Sequence, residues 1–305
     1  MNILVTGANG QLAKCLQEIV LEKGNGHPDS YVGEKDYWVF ADRETLDITK
    51  LDDVVNYVRK NYINVIVNCA AYTNVAKAED DTYNAYAVNV AGAENLAYAC
   101  SKNGAVLIHI STDYVFDGKS EIPYTPDSQT NPLNAYGKTK LDGEILVKKQ
   151  PCKSLIFRTS WLYSKYGKNF VKTMFNKGYI LNENANVVDD QVGCPTNAND
   201  LARFIYRIVT ENNAENRYLS KDGIYHYCNS GKASWYDFAK EIYKLSGSNS
   251  EVYPIKTTDS PVNRPQYSVM DTSLTTEIFN EEFKSWRESL KEVVGQLVLE
   301  VEEPF

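Results

Sequence analysis

Two rhythms alternate through the first half of the chain. Short unbroken apolar runs such as Ile3-Leu-Val5, Trp38-Val-Phe-Ala41, Val65-Ile-Val67 and Val106-Leu-Ile108 are separated by longer stretches that mix apolar and polar positions. An apolar run of this length between turn residues reads as a strand buried on both faces. The pattern predicts strands at Asn2–Thr6, 38–41, Val65–Asn68, 106–110 and Ser154–Thr159. It predicts helices at 11–23, Leu51–Lys60, 82–102 and 135–148, and a polar, glycine-containing loop at 24–37. Strands and helices in strict alternation define an α/β fold, a doubly wound parallel sheet covered on both faces.

After Trp161 the alternation breaks. Aromatics, Asn and Asp mix through 163–196, a helix returns at 200–210, and short elements separated by Pro254, Pro261 and Pro265 follow Tyr218. This reads as a smaller, partly discontinuous α/β substrate domain made of about 162–196 plus 218–305. The sheet domain takes 1–161 plus about 197–217.

Composition narrows the class. The 305 residues are 43% apolar and 24% charged, ordinary for a protein with a real core. A net charge of −8 supplies no basic stripe for a nucleic-acid partner. No apolar run approaches membrane-spanning length, and Met1-Asn-Ile-Leu-Val-Thr-Gly7 has no basic leader, so a cytoplasmic chain is expected. The six cysteines are scattered and read as free thiols. None of the three histidines (His27, His109 and His226) belongs to a zinc-type cluster, and His109, inside an apolar run, reads as a satisfied core residue.

The chemistry begins at Gly7-x-x-Gly10-x-x-Ala13, which follows the first strand and opens the first helix. Gly7 permits a tight turn. Gly10 lets the backbone approach a pyrophosphate at the helix N-terminus, and Ala13 permits close helix–strand packing. This is the signature of a Rossmann-type sheet holding a dinucleotide. Asp42 ends the second strand, where a carboxylate meets ribose hydroxyls. Arg43 follows it, where a guanidinium takes a 2′-phosphate, so both NADPH and NADH are open. Asp47 and Ile48 would flank the adenine.

Thr112 lies just past the fourth strand, at the edge where open parallel sheets bind ligands. One loop later come Tyr136 and Lys140, four residues apart and on one face of a helix. Together they supply a hydroxyl to orient a ketone oxygen, a phenol to protonate it, and an ammonium expected to pull the phenol's pKa down.

Seven segments in order carry a resemblance. They are Ile3-Leu-Val-Thr-Gly-Ala-Asn-Gly-Gln-Leu12, Val67-Asn-Cys-Ala-Ala-Tyr-Thr73, Ile110-Ser-Thr-Asp-Tyr-Val-Phe-Asp-Gly118, Ala135-Tyr-Gly-Lys-Thr-Lys-Leu-Asp-Gly-Glu144, Arg158-Thr-Ser-Trp-Leu-Tyr163, Asp190-Gln-Val-Gly-Cys-Pro-Thr196 and Asn263-Arg-Pro265. In these the chain resembles the dTDP-4-dehydrorhamnose reductases of the extended short-chain dehydrogenase/reductase superfamily. The resemblance implies that Gly10, Gln11 and Leu12 hold the pyrophosphate and that Ala70, Ala71, Tyr72 and Thr73 line the nicotinamide half. Tyr136 would donate the proton, and Lys140 would bind the nicotinamide ribose. Thr112 and Asp113 would contact a dTDP-sugar. Trp161 would pack on it, or be an ordinary core tryptophan, and Arg264 would reach its diphosphate, or sit in a structural ion pair. A homodimer and a magnesium ion also come with the family, but no ligands for the ion map onto this sequence. Ala76 departs from the pattern, standing where the family has Asp.

The expected reaction is NAD(P)H-dependent reduction of dTDP-4-dehydro-L-rhamnose to dTDP-L-rhamnose, a precursor of cell-surface polysaccharide. Another nucleotide-sugar 4-ketoreductase or a 4-epimerase shares the Tyr and Lys. A 4,6-dehydratase would need a carboxylate where Tyr114 stands. A regulatory subunit of methionine adenosyltransferase would need none of the three site residues.

Overall fold

The computed structural model describes residues 1–24, 36–211, 217–258 and 262–302. Six strands form its main sheet: β1 (Asn2–Thr6), β2 (Tyr37–Ala41), β3 (Val65–Asn68), β4 (Val106–Thr112), β5 (Ser154–Thr159) and β6 (Gly223–His226). They are all parallel, in the order β6-β5-β4-β3-β1-β2. The longer helices are α1 (Gln11–Glu22), α2 (Leu51–Lys60), α3 (Ala93–Asn103), α4 (Ala135–Lys149), α5 (Ala198–Thr210), α6 (Trp235–Ser246) and α7 (Trp286–Glu302).

Strand side chains alternate between the two faces, so each run feeds two cores. Ile3, Val5, Val67 and Phe157 face α1 and α5, meeting Leu16, Ile19, Leu201 and Ile205. Leu4, Ile66, Leu107 and Ile156 face α2, α3 and α4, meeting Val54, Val58, Leu96 and Val147. Fully burying one such aliphatic side chain is worth roughly 1.5–3 kcal/mol, so packing outweighs helix propensity here. A separate core, with Phe175, Phe238, Ile242, Trp286 and Leu290, holds the smaller lobe together.

The fold corrects three expectations. Residues after 218 were assigned to the substrate domain, yet β6 pairs with β5 from Gly223↔Leu155 to His226↔Arg158 and completes the sheet. The single helix expected over 82–102 is interrupted. A short helix, Thr82–Tyr86, runs through a π-helical turn, Ala87–Gly92, into α3. Inside that turn Asn89 bonds the backbone of Tyr72, and Gly92 lies so near Ile48 that a Cβ would stand 2.7 Å from its Cδ1. The fourth strand runs on to Thr112, paired with Thr159 of β5, instead of stopping at Ile110. Residues 25–35 of the expected loop, His27 among them, lie outside the described residues.

Candidate active site

The strand order reverses between β1 and β3, and a parallel sheet binds ligands in the crevice beyond that point. Two adjoining hollows open there. One, of about 360 Å³, is lined by Gly7, Asp42, Arg43, Asp47, Ile48, Ala70 and Tyr72 among others. The other, of about 570 Å³, is lined by Gln11, Leu12, Thr73, Thr112, Asp113, Tyr136, Lys140 and Trp161 among others. Gly10 and Ala71 line both.

Gly7 has φ 69°, and a Cβ there would stand 2.7 Å from the Ala70 nitrogen, so the turn nests directly against the chain leaving β3. Helix α1 then starts at Gly10 with no side-chain cap and no acidic residue in its first turn. Its free N–H groups and positive dipole end face the crevice, which fits a pyrophosphate. Asp42 spends Oδ1 on Thr45, accepting from its N–H at 2.9 Å and its hydroxyl at 2.8 Å, and these bonds hold its pKa below the usual carboxylate range. Its Oδ2 faces the turn, 3.5 Å from Asn9 Nδ2. Arg43 is 79% exposed, with its Nε 3.7 Å from Asp47. Ile48 is buried at the hollow's floor.

Helix α4 carries the phenol and the amine. Asn134 caps it, accepting from Gly137 N–H at 2.8 Å, and donates Nδ2 to the Asn263 carbonyl at 2.8 Å. Glu144 bonds Arg158 of β5 at 2.8 Å and accepts from the Ser111 hydroxyl, locking the helix to the strands. Lys140 is 2% exposed and donates Nζ to the Ile110 carbonyl at 2.7 Å. Burial brings its pKa down to about 8, opposed by the charge of Glu144.

Here an expectation about the site fails. The Tyr136 pKa is pushed up, to about 12, because burial disfavours phenolate; the Asp113 charge adds to the rise, and a hydrogen bond with Thr112 opposes it. Lys140 does not lower it, since its amine is turned onto the β4 backbone. Tyr114 packs edge-on against Tyr136, with ring centres 5.7 Å apart, and its carbonyl oxygen lies where a Cβ on Gly137 would fall.

Thr112 does what a local cap does, accepting from Tyr114 N–H at 3.2 Å, and also donates to Asp113 Oδ1 at 3.1 Å. Asp113 is 2% exposed, and burial lifts its pKa to about 7 against hydrogen bonds with Ser268 and Thr112 that oppose the rise. Trp161 stacks on Trp235 at 3.5 Å, so one indole face is covered by the smaller lobe and the residue joins that core as well as the cleft wall. Arg264 is exposed near Tyr114, whose pKa burial and the Asp113 charge push up while the Arg264 charge opposes the rise, and it makes no ion pair among the described residues.

Sequence reasoning missed Asn68, Asn89 and Trp235. Asn89 holds the Tyr72 backbone with both ends of its amide and donates to Thr139 Oγ1 of α4 at 3.1 Å, tying 70–73 to the phenol-bearing helix. Nothing local in the sequence marks it, because its partners lie 17 and 50 residues away. Among the described residues, no group of three or more His, Cys, Asp or Glu could hold a metal ion, so magnesium finds no support. No described helix is long and apolar enough to cross a membrane.

A dinucleotide-type turn beside a Thr, Tyr and Lys cleft defines an oxidoreductase of the extended short-chain dehydrogenase/reductase class. Residues 1–299 match the family model described as RmlD substrate binding domain. The chain is 36% identical to a dTDP-4-dehydrorhamnose reductase of Sinorhizobium fredii, over 98% of this chain and 99% of the relative. It is also 36% identical to a dTDP-4-keto-6-deoxy-D-glucose reductase of Streptomyces niveus, over 94% of each. A solved dTDP-4-dehydrorhamnose reductase from Bacillus anthracis, in complex with NADP, is 38% identical, with a TM-score of 0.85 over 97% of this chain and 99% of that one. The chain belongs to the dTDP-4-dehydrorhamnose reductase family.

Proposed function

We propose that this chain reduces the 4-keto group of dTDP-4-dehydro-L-rhamnose to give dTDP-L-rhamnose, with NADPH or NADH as reductant. One observation carries the reading: Thr112, Tyr136 and Lys140 line one cleft that adjoins the uncapped start of α1. Gly7, Gly10, Gln11 and Leu12 would hold the pyrophosphate, Asp42 the ribose, and Arg43 a 2′-phosphate when NADPH binds. The bound nicotinamide would supply the hydride to sugar C4.

The residues of the chain manage the oxygen. Thr112 orients the carbonyl, and Tyr136 gives its proton to O4 as negative charge develops there. A phenol whose pKa sits near 12 is fully protonated at neutral pH, so it is loaded as a donor, and the developing alkoxide is more basic still. Lys140, charged below about pH 8, would hold the nicotinamide ribose. Asp113 and Trp161 would contact the sugar, and Arg264, free of ion pairs among the described residues, its diphosphate.

The test is oxidation of each reduced cofactor with dTDP-4-dehydro-L-rhamnose generated in situ. Tyr136→Phe should lower kcat by about 10²–10⁴-fold with cofactor affinity retained. A variant retaining wild-type turnover would remove Tyr136 from the proton-donor role. The Streptomyces niveus relative favours one second reading, the same ketoreduction on dTDP-4-keto-6-deoxy-D-glucose, so that sugar belongs in the assay.

A further inference from the structure

A row of buried polar side chains crosses three central strands where only apolar groups are expected. Thr6 of β1, Asn68 of β3 and His109 of β4 are register neighbours, and each is 1% exposed. Burying such groups is costly unless each is partnered. The row satisfies itself in one direction only. Asn68 Oδ1 accepts from the Thr6 hydroxyl at 2.7 Å and from Ala70 N–H at 3.2 Å. That orients the amide, so its Nδ2 donates to His109 Nδ1 at 3.0 Å. An imidazole that accepts at Nδ1 and stays neutral carries its proton on Nε2. Burial and the Lys140 charge hold the His109 pKa well below its ordinary value, so the ring is neutral. Its Nε2 points at Lys140 Nζ, 3.4 Å away.

Two donors therefore meet when Lys140 is charged, whereas an uncharged amine accepts the imidazole N–H. The Ile110 carbonyl serves Lys140 in either state. We propose that His109 is a positioning residue for Lys140: its Nε2–H, fixed by Asn68, Thr6 and the Ala70 amide, disfavours the ammonium and, on top of burial, lowers the pH at which Lys140 loses its charge. The other groups facing Lys140 are Glu144 on α4, neutralised in part by Arg158 of β5, and Cys69 after β3. Glu144 and Cys69 act in the opposite sense, favouring the charged amine. The link to turnover rests on the ketoreductase reading; the link between His109 and Lys140 does not.

The test separates the two. In the free full-length protein, ¹⁵N spectra of the histidine rings should show His109 protonated at Nε2 and bare at Nδ1 from pH 6 to 9. An Nδ1–H tautomer or an imidazolium would overturn the proposal. In ¹³C-lysine spectra, Lys140 should titrate about one pH unit higher in His109→Gln, whose carbonyl can face the amine. Asn68→Asp, which accepts from Nδ1–H and turns the Nε2 lone pair toward Lys140, should shift it the same way and reverse the ring's ¹⁵N pattern. The basic limb of kcat/KM should follow, with the plateau falling less than tenfold. A Lys140 titration unmoved in both variants, or a profile scaled down equally at every pH, would leave His109 a packing residue. Absence of turnover with the titration shift intact would overturn the ketoreductase reading alone.

Discussion

At the scale of single residues, burial in the cleft pushes titratable groups toward their uncharged forms. Asp113 is the clearest case, because burial raises its carboxyl from 3.8 to about 7. The folded protein therefore keeps a proton that the unfolded chain has released between about pH 4 and pH 7. The stability this represents is fully present below pH 3.8 and is lost as pH rises through 7, at most about 4 kcal/mol for a shift of this size. Asp113→Asn should match wild type in urea unfolding at pH 4 and exceed it increasingly toward pH 8, while weakening sugar affinity. A stability difference that stays flat across that range would show that Asp113 is ionised throughout. Burial itself explains why the sequence misled about Tyr136. Spacing places a lysine one turn away, but it does not say that the amine will turn onto the Ile110 carbonyl, or that desolvation will outweigh charge.

At the scale of elements, the sheet strands and most helices were legible because each satisfies one period and one burial pattern. The glycine turn was legible because Gly7, Gly10 and Ala13 act within a single turn of chain. What stayed hidden depends on long-range fit, such as the π-helical turn that aims Asn89 or the late strand β6, whose partner is β5. The same fit makes α4 sensitive to small changes. Gly137 lies against the Tyr114 carbonyl, and Gly143 against that of Asn89, so both glycines let the helix sit flush on its neighbours. Gly137→Ala should push the first turn of α4 outward and carry Tyr136 away from Thr112. A displacement of about 1 Å at a reacting group costs on the order of 10²-fold in rate. The expected result is a kcat loss of that order, with thermal stability lowered by a few degrees and NADPH affinity within threefold of wild type. Full activity in this variant would mean that α4 has slack the packing does not reveal.

At the scale of the whole molecule, the two lobes meet through the first residue of the phosphate helix. Gln11 is expected to help hold the pyrophosphate, and its side chain has a second task. Its Oε1 accepts from the Ser164 hydroxyl at 3.0 Å and from Asn169 Nδ2 at 2.8 Å. Asn169 in turn caps the short helix Phe170–Phe175, accepting from Lys172 N–H at 3.1 Å. Phe170 of that helix packs on Trp235, which stacks on Trp161 at the cleft wall. One amide thus connects the proposed cofactor end of the cleft to the aromatic wall of Trp161 and Trp235, proposed to face the sugar. Gln11→Ala keeps the backbone N–H but cuts this connection, so NADPH affinity should change less than threefold while KM for the sugar nucleotide rises about tenfold, the worth of one or two lost hydrogen bonds. Gln11→Glu keeps both acceptor bonds yet puts a negative charge at the dipole's positive end, the proposed seat of the pyrophosphate. It should show the reverse pattern, with weakened cofactor binding and near-normal sugar KM. Cofactor fluorescence titration and initial-rate kinetics separate the two parameters, and loss of the same parameter in both variants would refute a divided role for Gln11.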